Sequence, residues 1–223
     1  MPPLVIAIDG PSGSGKSTLG RMVSRALNLL YIDTGSMYRA VALAVIENQI
    51  NPSDHEAVTK LAEALEINLE GDPDSLLTLI GSRDVSELIR TEDVTSMASI
   101  VSAISGVRRA MVARQRELGK RGAVLNGRDI TTVVFPDADY KFFLTANAEE
   151  RAERRYLEDK LKSSVTSLAE TLADMTERDR RDTTRVDSPL KIADDAIVID
   201  STGKSIDEVF QEMMQAIRVS DML

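Results

Sequence analysis

The residues Gly10-Pro11-Ser12-Gly13-Ser14-Gly15-Lys16-Ser17-Thr18 follow the spacing GxxxxGK[ST]. Glycines let a backbone curl until successive N–H groups point at one anion. A helix opening inside the loop would add its partial positive charge. Lys16 would then bring a full charge to β- and γ-phosphates, and the Ser17 hydroxyl could ligate Mg²⁺. A lysine in such a loop is expected to be exposed and to pack little. The plain alternative is a Gly/Ser-rich turn that binds nothing. The apolar run Leu4–Ile8 directly upstream and an amphipathic pattern from Lys16 to Leu27 favour a nucleoside triphosphate site. Such a loop does not by itself separate a kinase from a switch or a motor.

Three further clusters bear on that choice. Asp33-Thr34-Gly35-Ser36-Met37-Tyr38-Arg39 opens a helical pattern. Asp33 or Thr34 could simply cap it, but capping leaves Tyr38 and Arg39 unexplained, and an arginine there can reach back to an anion near the loop. Asn126-Gly127-Arg128-Asp129 follows a strand pattern, at the kind of strand end where parallel sheets hold ligands; a surface turn with a solvated ion pair is the alternative. Arg178, Arg181, Asp182 and Arg185 share one helix face if the helix runs that far. Upstream, Arg151, Arg154 and Arg155 form a second arginine group. Solvated faces with weak pairs would also account for these groups, but crowded arginines suit a phosphate better.

Composition narrows the classes. The chain has 223 residues, no Cys and a single histidine, His55. That excludes a disulfide scaffold, a thiolate zinc site and a cysteine nucleophile, and leaves little room for a Ser-His-Asp triad. His55, at a helix start, reads as a surface residue. There is no Trp, aromatics are 4%, and the net charge is −9. Such a chain is a poor binder of nucleic acid or anionic membrane, so an anionic ligand must be held by locally clustered cations. The N-terminus lacks the basic start of a signal peptide. The longest apolar run, Ala40–Ile46, is too short to span a bilayer. The expectation is a cytoplasmic monomer with small-molecule partners.

The elements that must position these residues alternate between apolar runs and helical patterns, the mark of an α/β fold with a parallel sheet. Strands are expected at Leu4–Ile8, Leu30–Ile32, Ala123–Leu125, Tyr140–Leu144 and Ala196–Ile199. Helices are expected at Lys16–Leu27, Met37–Ile46, Asp54–Leu65, Asp93–Ile104, Val107–Leu118, Ala148–Leu161, Leu168–Arg180 and Ile206–Ile217. Met213 and Met214 read as core filler. Between Glu66 and Ile89 the runs INLE and LLTLI sit among GDPD and GSRD turn signals. Five strands would make the core, with an insertion over about 61–100 carrying its own small sheet.

Taken together, GPSGSGKST, DTGSMYR at 33–39, NGRDITTVVFPDA at 126–138, ERDRRDTTR at 177–185 and ADDAIVIDST at 193–202 resemble the bacterial cytidylate kinases. The resemblance covers essentially the whole chain, in order. It implies a P-loop nucleoside monophosphate kinase fold: a five-stranded parallel core over about 1–60, 101–153 and 167–223, a monophosphate-binding insertion near 61–100 and a lid near 154–166. The implied reaction is phosphoryl transfer from ATP, with Mg²⁺, to CMP and dCMP. Gly10 to Thr18 would hold ATP, and Thr34, Arg39, Arg128 and Arg185 would surround the CMP phosphate. Ser99, Arg108 and Asp129 would read cytosine, Arg178 and Asp182 would hold the sugar, and Tyr38 would line the pocket. Catalysis would rest on Lys16, Arg128, Arg178 and Arg185, and metal binding on Ser17. Ser99 and Arg108 rest on the resemblance alone; by periodicity they are surface positions. Two residues depart from the family pattern: Asn126, where an acid is usual, and Thr131, where glycine is usual.

Rival readings lack their signatures. A GTP switch needs an NKxD guanine reader, which is absent, and Asp200-Ser-Thr-Gly203 lies too near the C-terminus for a switch. A transport ATPase would carry an LSGGQ-type sequence. A related kinase acting on UMP, AMP or shikimate is the nearer rival.

Overall fold

The alternation of apolar runs and helices folds into one parallel sheet with helices on both faces. The structure, a computed structural model, describes residues 3–160 and 167–220. The chain runs β1 (Val5–Asp9), α1 (Lys16–Leu27), β2 (Leu30–Asp33), α2 (Thr34–Glu47), α3 (His55–Ala64), β3 (Ile67–Glu70), β4 (Leu77–Ile80) and β5 (Arg83–Asp84). It continues with α4 (Glu92–Val101), α5 (Ser105–Gly119), β6 (Ala123–Gly127), β7 (Tyr140–Thr145), α6 (Ala148–Lys160), α7 (Leu168–Thr184), β8 (Ile197–Asp200) and α8 (Ile206–Ser220). A 3₁₀ turn at Leu88–Arg90 and a π-helical turn at Ile130–Val134 interrupt it; the sequence pattern showed neither. Nor did it show β5, where GSRD reads as a turn.

The core sheet has the order β2-β6-β1-β7-β8, with every neighbouring pair parallel. Parallel strands need helical crossovers on the sheet faces, so the central strands are apolar on both sides. All five residues of both β1 and β6 are buried. Their side chains alternate: Ile6 and Ile8 join Leu19, Val23, Val209 and Met213 on one face. Val5 and Ala7 join Met37, Val41, Val107 and Met111 on the other. From β1 the chain leaves toward the β2 edge, and it later returns to the opposite side of β1 as β7 and β8. The loops after β1, β2 and β6 therefore open at one end of the sheet, where an α/β fold places its ligands. The antiparallel strands β3, β4 and β5 form a separate small sheet, as the change of character after Glu66 suggested.

Candidate functional site

A cleft of about 730 Å³ opens at that end of the sheet. Among the described residues that line it, eleven are Lys or Arg and five are Asp or Glu. A chain of net charge −9 thus concentrates its cations in one place, which stabilises only when an anion occupies it.

The loop between β1 and α1 forms the floor. Gly10 has φ 147°, and a Cβ there would collide with the Leu144 carbonyl, so only glycine fits. Lys16 is not the exposed lysine expected: it is 6% exposed. Its Nζ donates to the Pro11 carbonyl at 2.5 Å and the Ser14 hydroxyl at 3.2 Å. Burial, then the charges of Arg128 and Arg178, push its pKa well below the ordinary lysine value. An anion beside it would reverse that pressure.

Asp33 precedes α2 but its carboxylate makes no cap hydrogen bond; it pairs with Arg39 at 3.1 Å instead. The Thr34 hydroxyl donates to the Asn126 carbonyl at 2.7 Å. Both residues are thus spent on the site rather than on capping. Asn126 lies between β2 and β1, paired in register with Asp33 and Ile8. Its Nδ2 donates to the Ser17 hydroxyl at 3.2 Å, while its buried Oδ1 has no partner. Asp9, at the end of β1, is fully buried and accepts from Ile130 N, Thr131 N and the Thr131 hydroxyl. Burial still outweighs those donors and lifts its pKa to about 6.

The far wall holds a second charged group. Arg108 is 2% exposed and Asp129 3%, and the two form a hydrogen-bonded ion pair. Arg108 is therefore not a helix-surface position. Its guanidinium sits 5.4 Å from the centre of the Tyr38 ring, within cation–π range. Burial raises the Tyr38 pKa to about 12. Arg185 lies 3.9 Å from the other Asp129 oxygen. Arg128 Nε donates to Asp182 at 2.8 Å. Burial works against the Asp182 charge, yet Arg128, Arg178 and Arg185 hold its pKa below the ordinary value. The Arg178 guanidinium makes no hydrogen bond or ion pair among the described residues. Burial, then Arg128, lowers its pKa to about 10.

Several sequence expectations change here. Arg181 leaves the shared face: its side chain is 41% exposed and pairs with Glu177, because a three-residue step from Arg178 rotates it past the cleft edge. Of the second arginine group, Arg154 and Arg155 line the cleft but Arg151 does not, and each is paired. Arg151 pairs with Asp179, Arg154 with Glu150 and Arg155 with Asp159. Ser99 is not among the cleft-lining residues; from α4 these are Thr95 and Ala98, followed by Ser102. His55 is exposed, and Met213 and Met214 are buried, as expected. Sequence reasoning missed Gln115, which is 1% exposed and lies against the Tyr38 hydroxyl, where it works to lower the pKa that burial raises. Its seven-residue spacing from Arg108, two turns along the same face of α5, was the available signal.

The cytidylate kinase family profile matches residues 6–219. The chain belongs to the cytidylate kinase family. A cytidylate kinase of Geobacter sp. strain M21 is 45% identical over 216 residues, covering 96% of this chain and 93% of that one. The cytidylate kinase of Halalkalibacterium halodurans is 46% identical over 210 residues, covering 94% and 95%. The crystal structure of an uncharacterized protein from Eubacterium ventriosum superposes with a TM-score of 0.55 at 12% identity, covering 97% and 98%; that likeness concerns the fold alone. As a cytidylate kinase family member the chain is an enzyme, a P-loop nucleoside monophosphate kinase. Among the described residues no helix is long and apolar enough to cross a membrane.

Proposed function

We propose that this chain transfers the γ-phosphoryl group of ATP to CMP, and to dCMP as well, giving ADP and the diphosphate. One observation carries the reading: a single cation-rich cleft runs from the phosphate loop to the buried Arg108–Asp129 pair. One end suits a triphosphate and the other a base. In this reading Gly10 to Thr18 hold ATP, with Lys16 on the β- and γ-phosphates. Thr34, Arg39, Arg128 and Arg185 bind the acceptor phosphate, and Arg178 and Asp182 the sugar. Asp129 accepts from the cytosine amino group; Arg108 donates to the ring nitrogen and carbonyl. Tyr38 lines this end. Ser99 keeps only the support of its family position.

No covalent intermediate is needed. The acceptor phosphate is already an anionic nucleophile, so catalysis rests on positioning and on charge held against the transferring group. Arg178 would supply that charge directly, and Lys16 once its Nζ turns from the Pro11 carbonyl to the phosphates. The Ser17 hydroxyl and the unpartnered Asn126 Oδ1 are hard oxygen donors and fit Mg²⁺; Ser17 would hold it, with phosphate oxygens. When bound, Mg²⁺ supplies charge neutralisation at the phosphates. The segment with β3, β4 and β5 serves as the monophosphate-binding insertion. A lid would span 154–166, of which 161–166 lie outside the described residues. The protein is taken to act as a monomer in the cytoplasm. The test compares kcat/KM for CMP, UMP, AMP and GMP with ATP as donor. CMP should exceed UMP by about two orders of magnitude or more, the range a hydrogen-bonding site can deliver. Equal use of UMP would overturn the cytosine assignment.

A further inference from the structure

Ser12, at the tip of the phosphate loop, is held through both of its backbone polar groups by residues that do not line the cleft. Its N–H donates to Asp179 Oδ1 at 3.2 Å. Its carbonyl accepts from Arg151 Nη1 at 2.9 Å. The same Arg151 nitrogen donates to Asp179 Oδ2 at 2.6 Å, which closes a ring of three groups. Arg151 is itself anchored, with Nε donating to the Ala146 carbonyl at 3.0 Å. The two charged side chains are 11% and 19% exposed, so the pair is largely screened from water. At the next residue a Cβ would lie 2.7 Å from the Arg151 carbonyl and 2.9 Å from Met175 Cε. The loop tip therefore rests on α6 and α7 with no slack.

The chemistry of this ring is specific. A carboxylate has taken the Ser12 N–H, so that donor is turned away from any phosphate. Pro11 has no N–H to offer. The inward donors must then come from Gly13 onward, and the first of them points where the Ser12–Gly13 peptide plane, held by Arg151 at the Ser12 carbonyl, directs it. A bare carboxylate behind the loop would repel a polyanion in front of it. Arg151 neutralises it. The helices that carry the ring also carry Arg154, Arg155 and Arg178, which line the cleft, so the ring sets the spacing between the loop and those cations.

We infer that Arg151 and Asp179 form a clasp that orients the phosphate loop for ATP and couples it to α6 and α7. They are positioning residues, since neither reaches a substrate. The inference rests on the ATP reading of the loop.

The experiment uses the full-length protein and reads ATP binding directly, by equilibrium titration without CMP, alongside KM for each substrate. Asp179→Ala should weaken ATP binding and raise KM for ATP about tenfold, leaving KM for CMP within about twofold; the donor it frees and the cation it uncovers both lie at the loop. Asp179→Asn keeps an acceptor for the Ser12 N–H and should fall between Asp179→Ala and wild type. Arg151→Met leaves the carboxylate unneutralised and should weaken ATP more than Asp179→Asn does. Adding Asp179→Asn to Arg151→Met should then recover affinity. Near wild-type ATP affinity in folded Asp179→Ala, with only Tm lowered, would overturn the clasp. So would a double variant no better than Arg151→Met, a comparison that decides the matter even if Asp179→Ala does not fold. A wild-type chain that binds no ATP would overturn the functional reading itself.

Discussion

Asp129→Asn is the most informative single change, because it keeps the shape of the side chain and removes only its charge. Asp129 is 3% exposed and its partner Arg108 2%, with Arg185 3.9 Å from the second oxygen. The variant leaves two buried arginines facing a neutral amide. Removing one member of a buried pair costs about 3–5 kcal/mol. A chain of this length shifts its Tm by about 2–4 °C per kcal/mol, so the ligand-free variant should melt on the order of 10 °C lower. Specificity should change as well. The carboxylate can only accept, which suits the amino group of cytosine; the amide can also donate, which suits the carbonyl of uracil. Losing a charge-assisted contact of about 1.5–3 kcal/mol with CMP and gaining a neutral one of about 0.5–1.5 kcal/mol with UMP should narrow the CMP-to-UMP ratio of kcat/KM by on the order of 10². Both substrates are assayed well below the melting temperature of the variant. A folded variant with the wild-type ratio would refute the role of Asp129 at the base, and an unchanged Tm would refute the energetic account of the pair.

Lys16→Met should retain the fold and lose about 10³-fold or more in turnover, the scale of one preorganised charge contact; near-normal turnover would sink the assignment of the loop. Asn126→Asp should lower the Mg²⁺ concentration needed for half-maximal rate, since a carboxylate attracts the cation more strongly than the amide beside Ser17 does. A titration that shows no change would assign Asn126 to orienting Ser17 alone. Asp9 has a pKa raised by burial from 3.8 to about 6, so the folded state binds a proton that the unfolded state releases between those values. Its contribution to stability is greatest below the lower value and falls as pH rises, by about 3 kcal/mol at neutral pH. Asp9→Asn cannot titrate, so the pH slope of its unfolding free energy should lack that fall; identical slopes would refute the shift.

Local chemistry determined much of this protein without any tertiary information. The phosphate loop is legible because its function is a backbone conformation, and glycines at fixed spacing, a strand before and a helix after are all encoded within about fifteen residues. The same holds for the parallel sheet, since strands buried on both faces read as unbroken apolar runs. The small second sheet announced itself through turn residues. The residues that only the three-dimensional arrangement decided are those whose partners lie far away in the chain. Arg108 reads as a solvated helix position until α5 packs it against Asp129, 21 residues on. Lys16 reads as exposed until the curl of the loop buries it on the Pro11 carbonyl. Arg151 reads as one of a group of arginines suited to a phosphate until α7 brings Asp179, 28 residues on, against it, and Asp9 meets Thr131 across a separation of 122. Periodicity reports which face of an element is apolar. It carries no information on which other element a polar side chain on that face will meet, because that depends on how the elements close upon one another, and the meeting of Arg108 with Asp129 or of Asp179 with Ser12 exists only after they have.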